Sequence, residues 1–336
     1  MTAVWNRNDP PQEQFAQHRE LLQESEKLGF GLMVAGQHLL GNELRYYQPV
    51  PYLTYMSQFA PSMEVATGIV LMSLVNPVEL GEQLLFLDAV TNGKAIMGVG
   101  LGYAEHEFRA SGIPHNTRVK RFEEGLELIK ELWSDKKHVK FDGELFKVDG
   151  PQPSVAPTRK PRPPIWIGGQ GEKAIRRAAR MADAWYAPPF PTHEGLARLR
   201  EVFLEEREAR GMDPLAGGFP LRRELIIADT KAEARELAKQ RSAARYDVYL
   251  KWGLGAKLDS DNSGFGSQED EDIDARFILG NPEEVAEELD GLRRNLGMDT
   301  FVFKPQWLGL PHSEAMKQVE LFGDRVIPLV EKAERG

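Results

Sequence analysis

The stretch PPIWIGGQGEKAIRRAARMADAWYAP, residues 163–188, decides the fold. Ile165, Trp166 and Ile167 form an apolar run without alternation, bounded by prolines before it and glycines after it. Such a run reads as a strand covered on both faces, as in a parallel sheet. GGQG (168–171) is a tight turn, and 172–182 has the spacing of an amphipathic helix. ADAWYAP (182–188) then reads as a second short strand. Parallel strands need a helical crossover of this kind.

The same alternation runs outward in both directions. Toward the N-terminus, helices are predicted over 13–28 (with Gly29 as the stop), 77–91 and 116–133, and strands over 30–36, 64–72 and 94–100. Toward the C-terminus, helices are predicted over about 193–210, 231–250, 282–296 and 312–334, and strands over 221–229 and 299–305. That gives seven strands, with Ala3–Trp5 as a very short candidate for the eighth, as if the reading frame started late. The pattern predicts an α/β chain, a (β/α)8 TIM barrel with insertions whose first strand is short or truncated. A doubly wound open sheet is the alternative. The lack of a domain linker and of a GxGxxG turn after the first strand favours the barrel. The expectation is one domain over 1–336 with two interruptions. Residues 138–164 hold a hairpin around Asp142–Gly143 and a proline-rich crossing. Residues 251–276 are rich in Gly, Ser and acid and show no packed element. They read as a solvated loop, an active-site lid, or both.

Composition narrows the function. The 336 residues carry a formal charge of −9 and no cysteine. Disulfides, thiolate metal sites and thiol nucleophiles are therefore excluded. The acidic balance argues against nucleic acid as a partner. No signal peptide and no apolar run of about 18 residues is legible, so neither secretion nor a membrane is expected. A cytoplasmic enzyme is the expectation.

Four constellations could carry chemistry. Gly169, Gln170 and Gly171 open a helix, where free amides and the dipole favour a phosphate; a ligand-free tight turn is the other reading. GVGLGY (98–103) ends a strand, and its small residues, Gly100 among them, leave room for a flat ligand or for close helix packing. His38 in AGQHLL (35–40) stands just beyond the second strand, where a barrel places its catalytic groups. His106, His115, His138 and His312 lie in less telling places. Among Arg109, Arg118, Lys120 and Arg121, mostly solvated helix charges, Arg118 could reach a phosphate from the barrel top. No HxH or HExxH grouping exists, so no metal is expected. A GxSxG elbow and a P-loop are also absent.

At this point the text resembles a known family. NPVELGEQLLFLDAVTNGKAIMGVGLGYAEHEFRASGI (76–113), RVKRFEEGLELIKELW (118–133) and PPIWIGGQGEKAIRRAARMADAWY (163–186) resemble the bacterial luciferase-like flavin-dependent monooxygenases. GFGLMVAGQH (29–38) and FILGNPEEVAEELDGLRRNLGMDTFVFKPQW (277–307) extend the likeness over nearly the whole chain. The resemblance implies a TIM barrel with an insertion after the seventh strand, where 251–276 falls. It also implies reduced FMN as cofactor, delivered by a separate flavin reductase, with dioxygen oxygenating a small organic molecule. His38 would be the active-site His. Gln170, Gly171 and Arg118 would contact the phosphate, and Thr67, Gly68 and Ile69 would lie behind the ring, with Gly68–Ile69 the candidate for a non-prolyl cis peptide. Leu39, Met72 and Tyr103 are candidates for an apolar substrate lining. Gly100 and Leu101 stand where light-emitting luciferases carry a reactive Cys and a cofactor-contacting Arg, so bioluminescence is not expected. A homodimer is the family expectation.

Two alternatives stay open. One is hydride transfer with the deazaflavin F420, used by a branch of the same superfamily. The other is a non-catalytic flavin-binding protein. The acidic run Asp259, Asp261, Glu269, Asp270, Glu271, Asp272 and Asp274 should repel anionic substrates modestly, because exposed charge is screened.

Overall fold

The computed structural model describes residues 1–2, 5–41, 43–255 and 264–335. Five strands lie side by side and parallel: β1 (Leu32–Ala35), β2 (Glu64–Thr67), β3 (Ala95–Gly100), β4 (Ile165–Gly168) and β5 (Ala184–Tyr186). β6 (Pro220–Arg222) and β7 (Glu224–Ile227) follow each other along the chain. β8 (Phe277–Gly280) pairs in parallel with β7, and β9 (Thr300–Val302) with β6. Backbone hydrogen bonds bridge the two remaining gaps. Ala187 N donates to Pro220 O, and Arg222 N donates to Ala187 O, both at 3.0 Å. Val34 N donates to Met1 O at 2.8 Å, and Thr2 N donates to Phe303 O at 3.0 Å. The hydrogen bonds thus pass around a complete circuit, a TIM-barrel-like arrangement.

Among the described residues, eight major helices cover the circuit: α1 (Pro11–Lys27), α2 (Pro77–Val90), α3 (Arg118–Leu132), α4 (Glu172–Met181), α5 (His193–Glu208), α6 (Lys231–Lys251), α7 (Pro282–Leu296) and α8 (His312–Leu321). Their starts carry the expected chemistry. Asn76, Thr192, Thr230 and Asn281 each accept first-turn amides, and Asn281 with Glu284 forms a full capping box. Gly297 ends α7 at φ +69°, a conformation glycine adopts without strain.

The non-alternating runs are explained by two cores. Outward residues such as Met33, Val65, Ile165 and Ile167 pack under the helices. Inward residues Val34, Ala66, Ile96, Trp166, Ala184, Tyr186 and Val302 fill the barrel axis. The small residues on neighbouring strands leave space that the Trp166 ring occupies, stacked on Tyr186 at 5.7 Å.

Four expectations are corrected. The eighth strand was placed at Ala3–Trp5. Ala3 and Val4 lie outside the described residues, while Trp5–Asn6 pairs antiparallel with Leu44–Arg45, and Met1–Thr2 stands at the first-strand position instead. The run 64–72 is not one strand: it breaks at a cis Gly68–Ile69 peptide and resumes as Val70–Leu71 beside β3. The run 221–229 divides at the buried Arg223, so that β6 and β7 take different partners, and Phe277–Gly280 is an unforeseen strand. Within 251–276, residues 256–263 lie outside the described residues. Part of the remainder is packed: a short helix forms at Asp270–Asp274, and Leu254, Phe265, Ile273 and Arg276 are buried, with Arg276 Nε donating to Phe190 O at 3.1 Å, while residues 268–271 are exposed. The hairpin forms as read, His138–Asp142 against Lys147–Pro151.

Candidate active site

The C-terminal ends of the strands surround a cavity of about 370 Å³. Size and position both suit a ligand site. It runs between two chemically different ends.

One end is built on the glycine turn after β4. Gly169, Gln170 and Ala174 line it, with Arg118 and Arg177. Gly171 stands at the N-cap of α4 at φ +84° and offers no capping side chain; its carbonyl accepts Ala174 N at 3.0 Å, and no side chain caps the turn ahead of it. Trp185 Nε1 donates to Gly169 O at 3.0 Å and pins the turn to β5. A Cβ on Gly169 would stand 2.9 Å from Ala174 Cβ, so only glycine lets the turn lie this close to its helix. The buried Gln170 Oε1 has no hydrogen-bond partner among the described residues. Arg118 Nη1 donates to His115 O at 3.0 Å, and Arg177 Nε donates to Glu123 Oε1 at 2.7 Å.

The other end is built on the loop after β1. Gln37 N donates to Ile69 O at 3.1 Å, and Gln37 Oε1 accepts Leu71 N at 2.8 Å, which ties this loop to the cis segment. His38 follows. Its Nδ1 stands 3.1 Å from Glu107 Oε1, which also accepts Leu39 N at 2.7 Å. A carboxylate only accepts, so Nδ1 carries the proton and Nε2 is the nitrogen left for a ligand. Glu107 is fully buried, and its Oε2 has no partner among the described residues. Aromatic rings enclose the imidazole: Trp252 at 4.8 Å, Tyr46 at 4.9 Å, Tyr103 at 5.8 Å and Tyr249 at 6.1 Å. The Tyr46 and Tyr249 hydroxyls meet at 2.5 Å. Burial pushes the Tyr46 and Tyr103 hydroxyls above the ordinary tyrosine value, with Tyr249 adding to both, so both remain protonated.

The sequence candidates fall into two groups. His38, Gly68, Ile69, Tyr103, Arg118, Gly169 and Gln170 line this one cavity. Gly171 stands at the helix start beside it. Thr67, Gly100, Leu39 and Met72 are not part of its wall. The Thr67 hydroxyl donates to Gly98 O at 2.7 Å and fastens β2 to β3. A Cβ on Gly100 would stand 2.1 Å from Ile69 Cδ1, so this glycine makes room for Ile69. Met72 is buried against α3, where its methyl meets Gly125. Leu39 contributes its amide to Glu107. The sequence reading missed Glu107, Tyr46, Arg177, Tyr186, Arg222 and Tyr249. Glu107 in EHEF looks like any helix-surface acid. Arg222, inside an otherwise apolar run, was a usable signal.

The residues present fit a phosphorylated flavin-type coenzyme. The uncapped α4 start, the unpartnered Gln170 and two guanidiniums suit its phosphate. The glycine-lined, apolar middle formed by Gly68, Ile69, Leu71 and Leu101 suits a flat ring.

The comparisons with known proteins agree with this geometry. The luciferase-like monooxygenase profile matches residues 1–300. An FMNH2-dependent dimethylsulfone monooxygenase of Pseudomonas putida is 27% identical over 278 residues, covering 77% of this chain and 72% of the relative. The solved structure of monooxygenase RslO1 from Streptomyces bottropensis superposes with a TM-score of 0.79 at 20% identity, covering 97% of this chain and 98% of that one. An F420-dependent secondary alcohol dehydrogenase superposes with a TM-score of 0.78 at 16% identity, covering 98% of both chains. The chain belongs to the luciferase-like monooxygenase family.

Proposed function

We propose that this chain is the oxygenating component of a two-component flavin monooxygenase, acting on a small organic substrate with reduced FMN supplied by a separate reductase. One observation carries the reading. A phosphate-competent turn and a His–Glu pair share a single enclosure, as expected when a long coenzyme spans from one to the other. The FMNH2-dependent relative supports FMN and a reductase partner.

Gly169, Gln170 and Gly171, with Arg118 and Arg177, would hold the phosphate. Gly68 and Ile69 would support the ring, and Tyr103 with Leu101 would face the substrate. Reduced FMN, when bound, supplies the electrons that activate dioxygen. His38 Nε2 would hold or deliver a proton at the reacting oxygen, with Glu107 fixing the ring and its tautomer. The aromatic enclosure would keep water away from that atom.

The test is oxygen uptake by the full chain with FMN, a flavin reductase and NADH over a panel of apolar organic compounds. Substrate-dependent uptake with an oxygenated product supports the reading. The second reading is F420-dependent hydride transfer, favoured by the same His38–Glu107 pair, which would move a proton equally well without oxygen. Anaerobic, F420-dependent oxidation of an alcohol with no FMN-dependent uptake would replace the first reading by the second.

A further inference from the structure

The wall of the cavity also holds charge that the proposed reaction does not use. Arg222 at the end of β6 lines the cavity together with Tyr186 from β5. Behind them lie Glu224, Arg245 and Lys304, all fully buried. Glu224 Oε1 is shared: Arg245 Nη2 donates to it at very close range, and Arg222 Nη2 donates at 3.1 Å. Lys304 Nζ makes no hydrogen bond among the described residues and lies 4.2 Å from the Trp307 ring centroid. Burial, with Arg245 beside it, lowers the Lys304 amine well below its ordinary value. The two guanidiniums thus face the single carboxylate of Glu224, which leaves at least one positive charge in excess. An excess buried charge is costly unless something answers it.

The same two lining residues carry unspent donors. Arg222 Nε and the Tyr186 hydroxyl are both buried without partners among the described residues. Burial pushes the Tyr186 hydroxyl up to about 12, so it stays a donor. It stands 3.6 Å from where a Cβ on Gly68 would be, directly under the cis segment that walls the cavity.

We propose that the Arg222–Tyr186 edge of the cavity is a seat for an oxyanion group of the substrate, a carboxylate or sulfonate, with Arg245 and Glu224 behind it fixing the Arg222 guanidinium. The substrate is then an organic acid whose apolar body points toward Leu101 and Phe190. The screened acidic exterior near residues 269–274 opposes this only weakly, because charge inside a low-dielectric cavity acts far more strongly than exposed charge. The proposal rests on the preceding reading only for the identity of the molecule that shares the cavity.

The probes are octanoate, 1-octanesulfonate and 1-octanol, titrated calorimetrically into the full chain, alone and then saturated with FMN. Both anions are expected to bind about tenfold tighter than the alcohol in either state. R222M should erase that preference, and Y186F should reduce it about threefold while leaving octanol affinity unchanged. Equal affinity for the three probes would overturn the proposal. So would a preference that survives R222M, or one that FMN abolishes, since the coenzyme would then own Arg222. If R222M does not fold, Y186F decides: an unchanged preference contradicts the seat. Failure of FMN to bind while the anion preference holds would remove the coenzyme reading and leave the seat intact.

Discussion

His38 Nδ1 and Glu107 Oε1 stand 3.1 Å apart, and the same oxygen holds the Leu39 amide at 2.7 Å. One buried carboxylate therefore fixes both the ring that would do the chemistry and the backbone that carries it. The pair joins the loop after β1 to the short helix Glu105–Ala110.

His38→Ala should lower coupled turnover by about 100-fold or more, the usual weight of general acid–base assistance. FMN affinity should change little, because the imidazole stands away from the phosphate end. Steady-state kinetics with a parallel flavin titration checks this. Turnover that survives the change would remove His38 from the mechanism.

Glu107→Leu should cost about 1–3 kcal/mol of stability, because the Leu39 amide and the imidazole lose their acceptor inside the protein. Glu107→Gln keeps an acceptor and should fold better while still lowering kcat. Chemical denaturation together with kinetics separates the two effects.

At the phosphate end, Arg118→Ala combined with Arg177→Ala should weaken FMN binding by about tenfold or more. Riboflavin, which lacks the phosphate, should be nearly unaffected. Equal losses for the two ligands would mean that these guanidiniums act on the fold rather than on the phosphate.

Glu224 bears on stability in acid. Burial alone would raise its carboxyl, but Arg245, Arg222 and Lys304 overcome that and hold it at about 2, against 4.5 ordinarily. Its contribution is therefore present above about pH 4.5 and is lost as the pH falls toward 2. Glu224→Leu should cost about 3–5 kcal/mol at neutral pH, since Arg245 is left uncompensated. The Glu224→Leu, Arg245→Met double variant should cost less than the single. A double variant no better than the single would show that packing, not charge, governs the site.

Glu288 has the opposite sign. Burial pushes its carboxyl up to about 7, against the pull of Lys231 and Arg223. The folded state then prefers the protonated form, and stability falls as pH rises from about 4.5 toward 7. Glu288→Gln should raise Tm relative to the parent at about pH 8 and leave it nearly unchanged at about pH 5. The same difference at both pH values would contradict this.

The fold was legible because its strands lack alternation and its helices carry ordinary start signals, as at Asn281–Glu284. The breaks were not. No local pattern announces that Arg223 turns its guanidinium to the carbonyls of Pro189, Pro191 and Thr192 and so divides a strand. His38 and the turn at 169–171 were legible because each sits at the end of an apolar run. Glu107, Tyr46 and Tyr249 were not, since they come from separate elements and meet only in three dimensions. Met72, a lining candidate by the family resemblance, lies under α3 instead, a packing that no local pattern announces.

The most direct test of the account is an anaerobic titration of the full chain with reduced FMN, riboflavin and F420, followed by tryptophan fluorescence. The account expects saturable binding of reduced FMN, weaker binding of riboflavin by about tenfold or more, and loss of that difference when Arg118 and Arg177 are both replaced. Riboflavin binding as tightly as reduced FMN, or no binding of any of the three, would contradict it.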